Sequence, residues 1–233
     1  MKMKALLMKI YDKLYKAYGP RHWWPGETPF EVMVGAILTQ NTSWRNVEKA
    51  IQKLKNKGVL NAEGIHQIRK SELASLIRSS GYYRIKAERL KAFVDFLFEE
   101  YNGDIEKMGE EKLSVLRQKL LGVNGIGPET ADSILLYGLK KPIFVVDAYT
   151  KRILSRHRMI SESASYGEIQ RLLMNHLPLD ERLFNEYHAL LVHLGKTLCK
   201  KVPGCDICPL KTIGSKERGE RRKVNLSHWT FHH

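Results

Sequence analysis

Four groups of residues in this chain have the types and spacing for chemistry. Asp147, in Val146-Asp147-Ala148-Tyr149-Thr150-Lys151-Arg152, stands just before a helical pattern. There it can cap the helix by accepting a backbone N–H, and the helix dipole favours its ionised form. The same placement lets the carboxylate face a centre of developing positive charge, so plain capping and catalysis are both open readings. Gly125 and Gly127 punctuate Leu121-Gly122-Val123-Asn124-Gly125-Ile126-Gly127-Pro128-Glu129-Thr130-Ala131-Asp132, which lies between two helical patterns. Glycines there permit a tight turn and close approach of the backbone to another group, Pro128 presets the next helix, and the exposed N–H groups of the first helical turn make a phosphate site. A lone Gly-x-Gly is equally the mark of an ordinary interhelical turn. Cys199, Cys205 and Cys208 lie within ten positions. An odd, tightly spaced set makes a poor disulfide framework, so a metal or cluster site in a reducing compartment explains it better. Finally, Trp23 and Trp24 are adjacent in His22-Trp23-Trp24-Pro25, and Trp44 begins a later helix. Aromatic faces can sandwich a planar ring, while a tryptophan pair also anchors terminal segments to a core.

Helices must position these groups. Apolar residues recur at three and four positions, as in Val47, Ile51 and Leu54, and in Leu183, Tyr187, Leu190, Leu191 and Leu194. In Thr28-Pro29-Phe30-Glu31, Thr28 can cap, Pro29 suits the first turn and Glu31 completes a capping box. The run Phe30 to Leu38 is apolar on nearly every face, as befits a helix surrounded by others. Further helices are expected over 43–56, 71–79, 83–101, 110–121, 128–137, 148–156, 166–176 and 181–198. Ile143-Phe144-Val145-Val146 is strand-like but has no partner of similar character, and is read as a buried extended connector. The expected fold class is all-α.

Composition narrows the partners. With 233 residues and 43% hydrophobic content the chain can bury a core. Lys and Arg outnumber Asp and Glu by 39 to 25, a formal net charge of +14, which favours a polyanion because each neutralised phosphate releases a counterion. No stretch reaches the roughly 18 apolar residues of a membrane span, so a cytoplasmic protein is expected. Residues 211–233 read as a loose basic tail.

Val123-Asn124-Gly125-Ile126-Gly127 followed by Val145-Val146-Asp147 resembles the hairpin, Gly/Pro-rich loop and aspartate signature of the endonuclease III superfamily of helix-hairpin-helix DNA glycosylases. The resemblance covers roughly residues 25–210. It includes Leu38-Thr39-Gln40-Asn41-Thr42, similar to the segment whose glutamine wedges into the gap left by an extruded base. It implies a two-lobed fold: a six-helix barrel over 26–137, and a second lobe of 1–25 plus 138–210 carrying the aspartate and the cysteine loop. It also implies a monomer that binds damaged double-stranded DNA in the nucleoid, through Gln40, Asn41, Gly125, Gly127 and Thr130, with Asp147 catalytic. A base inside a duplex cannot present its glycosidic bond, so it must be flipped out.

The sequence also departs from that family. Where bifunctional members carry a lysine that attacks the sugar, this chain has Glu129, which cannot form an imine and at a helix start complements the dipole. The family's iron–sulfur loop needs four cysteines; Cys199, Cys205 and Cys208 supply three, and Gly214 stands at the fourth position, leaving a three-cysteine cluster, a histidine such as His228 as fourth ligand, or no cluster. Trp23-Trp24-Pro25 resembles the start of the 3-methyladenine glycosylase subgroup, which also lacks the lysine. The leading expectation is therefore a monofunctional glycosylase that removes an alkylated purine stacked among Trp23, Trp24 and Trp44. The rivals are a mismatch uracil or thymine glycosylase, an endonuclease III-like enzyme with lyase activity, and a non-catalytic DNA-binding protein.

Overall fold

A computed structural model describes residues 2–213, apart from residues 22 and 25. Twelve α-helices and no strand occur among them: α1 (Lys2–Tyr18), α2 (Pro29–Leu38), α3 (Trp44–Asn56), α4 (Ala62–Gln67), α5 (Lys70–Leu76), α6 (Tyr83–Tyr101), α7 (Ile105–Glu110), α8 (Leu113–Gly122), α9 (Pro128–Ser133), α10 (Ala148–Arg156), α11 (Tyr166–His176) and α12 (Glu181–Thr197). None of these helices is long and apolar enough to cross a membrane. The two lobes are a barrel around α2, which packs against α3, α6 and α9, and a second group in which α12 packs against α1 and α10.

The apolar run fixes the centre of the barrel. Every residue from Phe30 to Leu38 is buried, and the Thr28 hydroxyl accepts the Glu31 N–H at 3.1 Å, as the sequence requires. The capping box is not closed as expected. The Glu31 carboxylate passes Thr28, accepts the Glu27 N–H at 3.2 Å and pairs with Lys55 at 3.0 Å, because α3 brings an ammonium to it. At the other end of α2 the fully buried Lys86 donates to the Leu38 carbonyl at 2.8 Å and the Ser80 carbonyl at 2.6 Å. It thereby satisfies acceptors that a helix terminus leaves open.

Several expected boundaries shift. The helix expected at 71–79 stops at Leu76 and gives way to a 3₁₀ turn, Arg78–Ser80. That expected at 110–121 is α8, which starts at Leu113, and a short helix not expected from the sequence, α7, precedes it; Asp104 caps α7 by accepting the Glu106 and Lys107 N–H groups. Helix α9 widens after Ser133 into a π-helical turn, Ile134–Gly138. Ile143–Val146 is the buried connector expected, and no partner strand is needed. The Phe144 carbonyl accepts from Gln170 Nε2 at 2.7 Å, and the Val146 N–H donates to the Tyr166 hydroxyl at 3.4 Å. Those α11 side chains also hold the fully buried Asp132: Tyr166 and Gln170 each donate to it at 2.7 Å, and Arg117 forks onto both its oxygens at 2.7 and 3.1 Å. Of the expected basic tail, Ile213 is buried rather than loose; the remainder, with Gly214 and His228, lies outside the described residues.

Burial, followed by the neighbouring Arg89 charge, pushes Lys86 down from 10.5 to about 8. Below about pH 8 both the folded and the unfolded chain carry this proton, and the cost of burying it is present in full. Between about 8 and 10.5 the unfolded chain holds more protons, so folding stability rises with pH. Measured by urea midpoints, wild type should therefore gain on Lys86→Met across that window. A flat difference would mean that Lys86 is not buried as a charge.

Candidate functional site

Asp147 sits where α10 begins and caps that helix, as expected. Its Oδ1 accepts the Thr150 N–H at 2.7 Å, the N-cap bond. Its Oδ2 faces the Nε2 of His188 on α12 at 3.6 Å, with side-chain exposures of 12% and 6%. Burial alone would raise the pKa of this carboxylate. The His188 imidazole and the hydrogen bond from Thr150 outweigh it and hold Asp147 below the usual value. Behind His188, its Nδ1 meets the hydroxyl of Tyr137 in the π-helical turn. Burial raises the Tyr137 pKa well above 10, with Asp147 adding, so the phenol stays protonated.

Glu129, in the first turn of α9, belongs to the same cluster. Its outer side is exposed, yet the protein crowded around its carboxyl raises its pKa; the Asp147 charge adds to the rise and His188 opposes it. The hairpin that carries it is braced from below. Gly125 has φ of +81°, and a Cβ there would fall 2.3 Å from the Arg89 side chain, so only glycine fits. Gln40 Nε2 donates to the Gly125 carbonyl at 3.1 Å and to the Thr130 hydroxyl at 2.9 Å, and Arg89 donates to the Gln40 Oε1. Thr130 is buried, with its hydroxyl engaged by Gln40. Asn41 is exposed at φ of +52°, the bend that ends the segment after α2. Gly127 has φ of −87°, and a side chain there would enter open space, since no atom lies within 4 Å of where its Cβ would be.

The three tryptophans do converge. Trp24 stacks on Tyr137 at 4.7 Å, Trp44 meets Trp24 edge-on at 5.4 Å, and Trp23 lies edge-on to both Trp24 and His188 at 6.4 Å. The indole N–H groups of all three are buried without a hydrogen-bond partner. The sandwich expected from the sequence is closed upon itself: Trp24 and Tyr137 are in contact, so a planar guest stacks beside them or displaces Trp24, which is held at φ of +71°.

The cysteine loop stands apart from this cluster. Cys199, Cys205 and Cys208, with Arg156 and His157, line a cleft of about 60 Å³. No group of three or more His, Cys, Asp or Glu side chains among the described residues is placed to hold a metal ion. Arg156 instead donates to the Cys199 sulfur at 3.3 Å and to the carbonyls of Lys200 and Lys201 at 2.6 and 3.1 Å, while Arg152 donates to the carbonyls of Cys199 and Gly195 at 2.8 and 3.0 Å. An iron–sulfur cubane takes four ligands and commonly has N–H donors on its thiolates, so the Arg156 contact is compatible with ligation, while the described residues supply three thiols, those of Cys199, Cys205 and Cys208.

Sequence reasoning missed Tyr137, His188 and Arg89. His188 was detectable as a titratable residue on the apolar face of α12 beside Tyr187. Tyr137 looked like one more core residue of an apolar run, and Arg89 like a solvated charge.

Residues 34–179 match the family described as HhH-GPD superfamily base excision DNA repair protein. The chain is 49% identical to a candidate DNA repair glycosylase of Methanocaldococcus jannaschii, over 88% of this chain and 94% of that one. It is 33% identical to endonuclease III of Thermotoga maritima, over 78% and 81%. Among solved structures it resembles the 3-methyladenine DNA glycosylase of Helicobacter pylori bound to 1,N6-ethenoadenine, with a TM-score of 0.70 and 29% identity over 83% and 96%.

Because a side chain at Gly127 meets nothing within the protein, Gly127→Val should fold as wild type and lose affinity for every DNA duplex alike. Equal affinities at matched salt would remove the hairpin from the interface. Because Arg156 ties α10 to the cysteine loop, Arg156→Ala should lower the melting temperature by roughly 2–4 °C, about 1 kcal/mol. An unchanged melting temperature would mean that the clamp does not hold the loop.

Proposed function

The chain belongs to the HhH-GPD superfamily of base excision DNA repair glycosylases, and on that premise we propose that it is a monofunctional enzyme that excises an alkylated purine from double-stranded DNA. The observation that carries the reading is the Asp147 carboxylate, kept ionised at the start of α10 and set beside a cluster of four aromatic rings without any lysine at the Glu129 position. The fold supports the division into lobes at 26–137 and at 1–25 plus 138–210.

In this reading the hairpin N–H groups around Gly127 grip a phosphate, and Gln40, tied to that hairpin, enters the space of the extruded base. The base stacks against the aromatic cluster. An alkylated purine carries positive charge or leaves readily, so stacking and one carboxylate suffice. As the glycosidic bond lengthens, Asp147 stabilises the oxocarbenium-like sugar through Oδ2, since Oδ1 is committed to Thr150, and the same oxygen orients the attacking water. The product is the free base and an intact abasic site. No step runs through the cysteine loop.

The likeness to a 3-methyladenine glycosylase bound to an alkylated adenine supports this substrate class. A second reading, an oxidised-pyrimidine glycosylase with lyase activity, is favoured by the identity to endonuclease III. Glu129 counts against it, because a carboxylate cannot form the Schiff base that lyase chemistry requires.

A panel of duplexes, each with one lesion, should show release of alkylated purines and no strand break. Asp147→Asn keeps the cap geometry but loses the charge, and should cost about 2.7–4 kcal/mol of transition-state stabilisation while DNA still binds. Glu129→Gln should change excision little, and Glu129→Lys should introduce borohydride-trappable adduct. A trapped adduct with the wild type would overturn the monofunctional reading.

A further inference from the structure

We infer that Tyr137 and His188 are a positioning pair which aims Asp147 and keeps its carboxylate ionised, an inference that rests on the base-excision reading for its catalytic consequence. Neither residue needs to touch DNA in this role. Asp147 has two oxygens, and the N-cap bond fixes only Oδ1. Rotation about the bond to the carboxyl group would still carry Oδ2 away from the cleft. His188 Nε2, 3.6 Å from Oδ2 and otherwise without a hydrogen-bond partner, is the one polar group on α12 that faces it.

The direction of that contact follows from the other ring nitrogen. Tyr137 is buried and keeps its proton. If its hydroxyl donates to Nδ1, the imidazole carries its hydrogen on Nε2 and presents an N–H to the carboxylate. The reverse arrangement would set an Nε2 lone pair against a carboxylate oxygen and is repulsive. An imidazolium would present the same Nε2–H. In every acceptable state, then, the tyrosine–histidine contact leaves a donor facing Oδ2.

The surrounding charges give this donor its work. The groups that face Asp147 are His188 from α12, Tyr137 from the π-helical turn, Glu129 from α9, and the backbone of α10. Of the side chains, Glu129 is negative when ionised, and Tyr137 and the Thr150 hydroxyl are neutral. His188 contributes most against the desolvation of the carboxylate, and Thr150 adds to it through its backbone N–H and its side chain. Trp23 and Trp24 pack on His188 and Tyr137 respectively, which immobilises both rings.

The test has one readout without DNA and one with it. In the free protein, the Asp147 carboxyl carbon followed by NMR should titrate at higher pH in His188→Leu than in wild type. His188→Gln, whose amide nitrogen can occupy the Nε2 position, should restore most of the difference. In excision assays His188→Leu should lower kcat by about 10–100-fold, the range for hydrogen-bond partners that stand behind a reacting group, with KM little changed and the acid limb moved to higher pH. Tyr137→Phe should lower kcat in wild type but cost nothing further in His188→Leu, because the pair acts as one unit. Tyr137→Phe is close to isosteric, so its own loss of kcat carries the test if the leucine variant melts early. An Asp147 titration unmoved by His188→Leu, a Tyr137→Phe variant with the kcat of wild type, or additive losses from Tyr137 and His188 would overturn the inference. A wild type that releases no base from any lesion, but whose Asp147 titration moves as stated, would sink the glycosylase reading and leave the positioning pair intact.

Discussion

Keeping one carboxylate charged in a place that excludes water is the constraint on which the rest of the site depends. A desolvated Asp147 is a strong partner for developing positive charge because little solvent screens it, but desolvation also favours its neutral form. The structure answers with two fixed dipolar partners, the first turn of α10 and the imidazole of His188. These come from elements far apart in sequence. Their meeting requires α10 to lie tightly on α12, and the contact is close enough that a Cβ at Gly195 would fall 2.4 Å from Tyr149. The catalytic geometry is thus a consequence of helix packing in the second lobe.

Two further buried polar centres brace the barrel, and the second also ties it to the helices that follow. Lys86 ties the end of α2 to the turn before α6, and so fixes the segment from which Gln40 projects. Asp132 collects Arg117 from α8 and Tyr166 and Gln170 from α11, locking the hairpin to the connector that leads to Asp147. Breaking either would leave a buried charge or carbonyl unpaired, which costs more than a surface pair contributes. Distances between the hairpin, Gln40 and Asp147 are therefore set by polar contacts inside the protein before any DNA arrives.

Much of this was legible in the sequence, and the exceptions have a common cause. Helix α2, the Asp147 cap, the hairpin glycines and the buried run before Asp147 are local features, written in periodicity and in residues adjacent along the chain. What escaped reading depends on side chains meeting across elements far apart along the chain. Glu31 looked like half of a capping box, but Lys55 from α3 redirects it. Thr130 looked like a contact for DNA, but Gln40 claims its hydroxyl. The tryptophans pointed to an open aromatic slot, and the ring that fills it, Tyr137, sat unmarked in an apolar run. The cysteine spacing marked the loop, but nothing in the sequence marked the two arginines one helical turn apart on α10 that hold the loop's carbonyls.

The departure at position 129 explains why the second lobe needs a histidine at all. A lysine there would bring an ammonium to Asp147 and would itself favour the ionised carboxylate. Glu129 does the opposite: Asp147 raises its pKa, and by the same interaction an ionised Glu129 makes the Asp147 charge harder to hold. On the monofunctional reading proposed above, the replacement removes both the nucleophile for lyase chemistry and a source of electrostatic support. His188 supplies that support from α12, without an amine that could attack the sugar. The environments then push the two carboxyl groups apart, with Glu129 raised and Asp147 lowered, which is the separation that lets one acidic residue act while the other stays out of the chemistry.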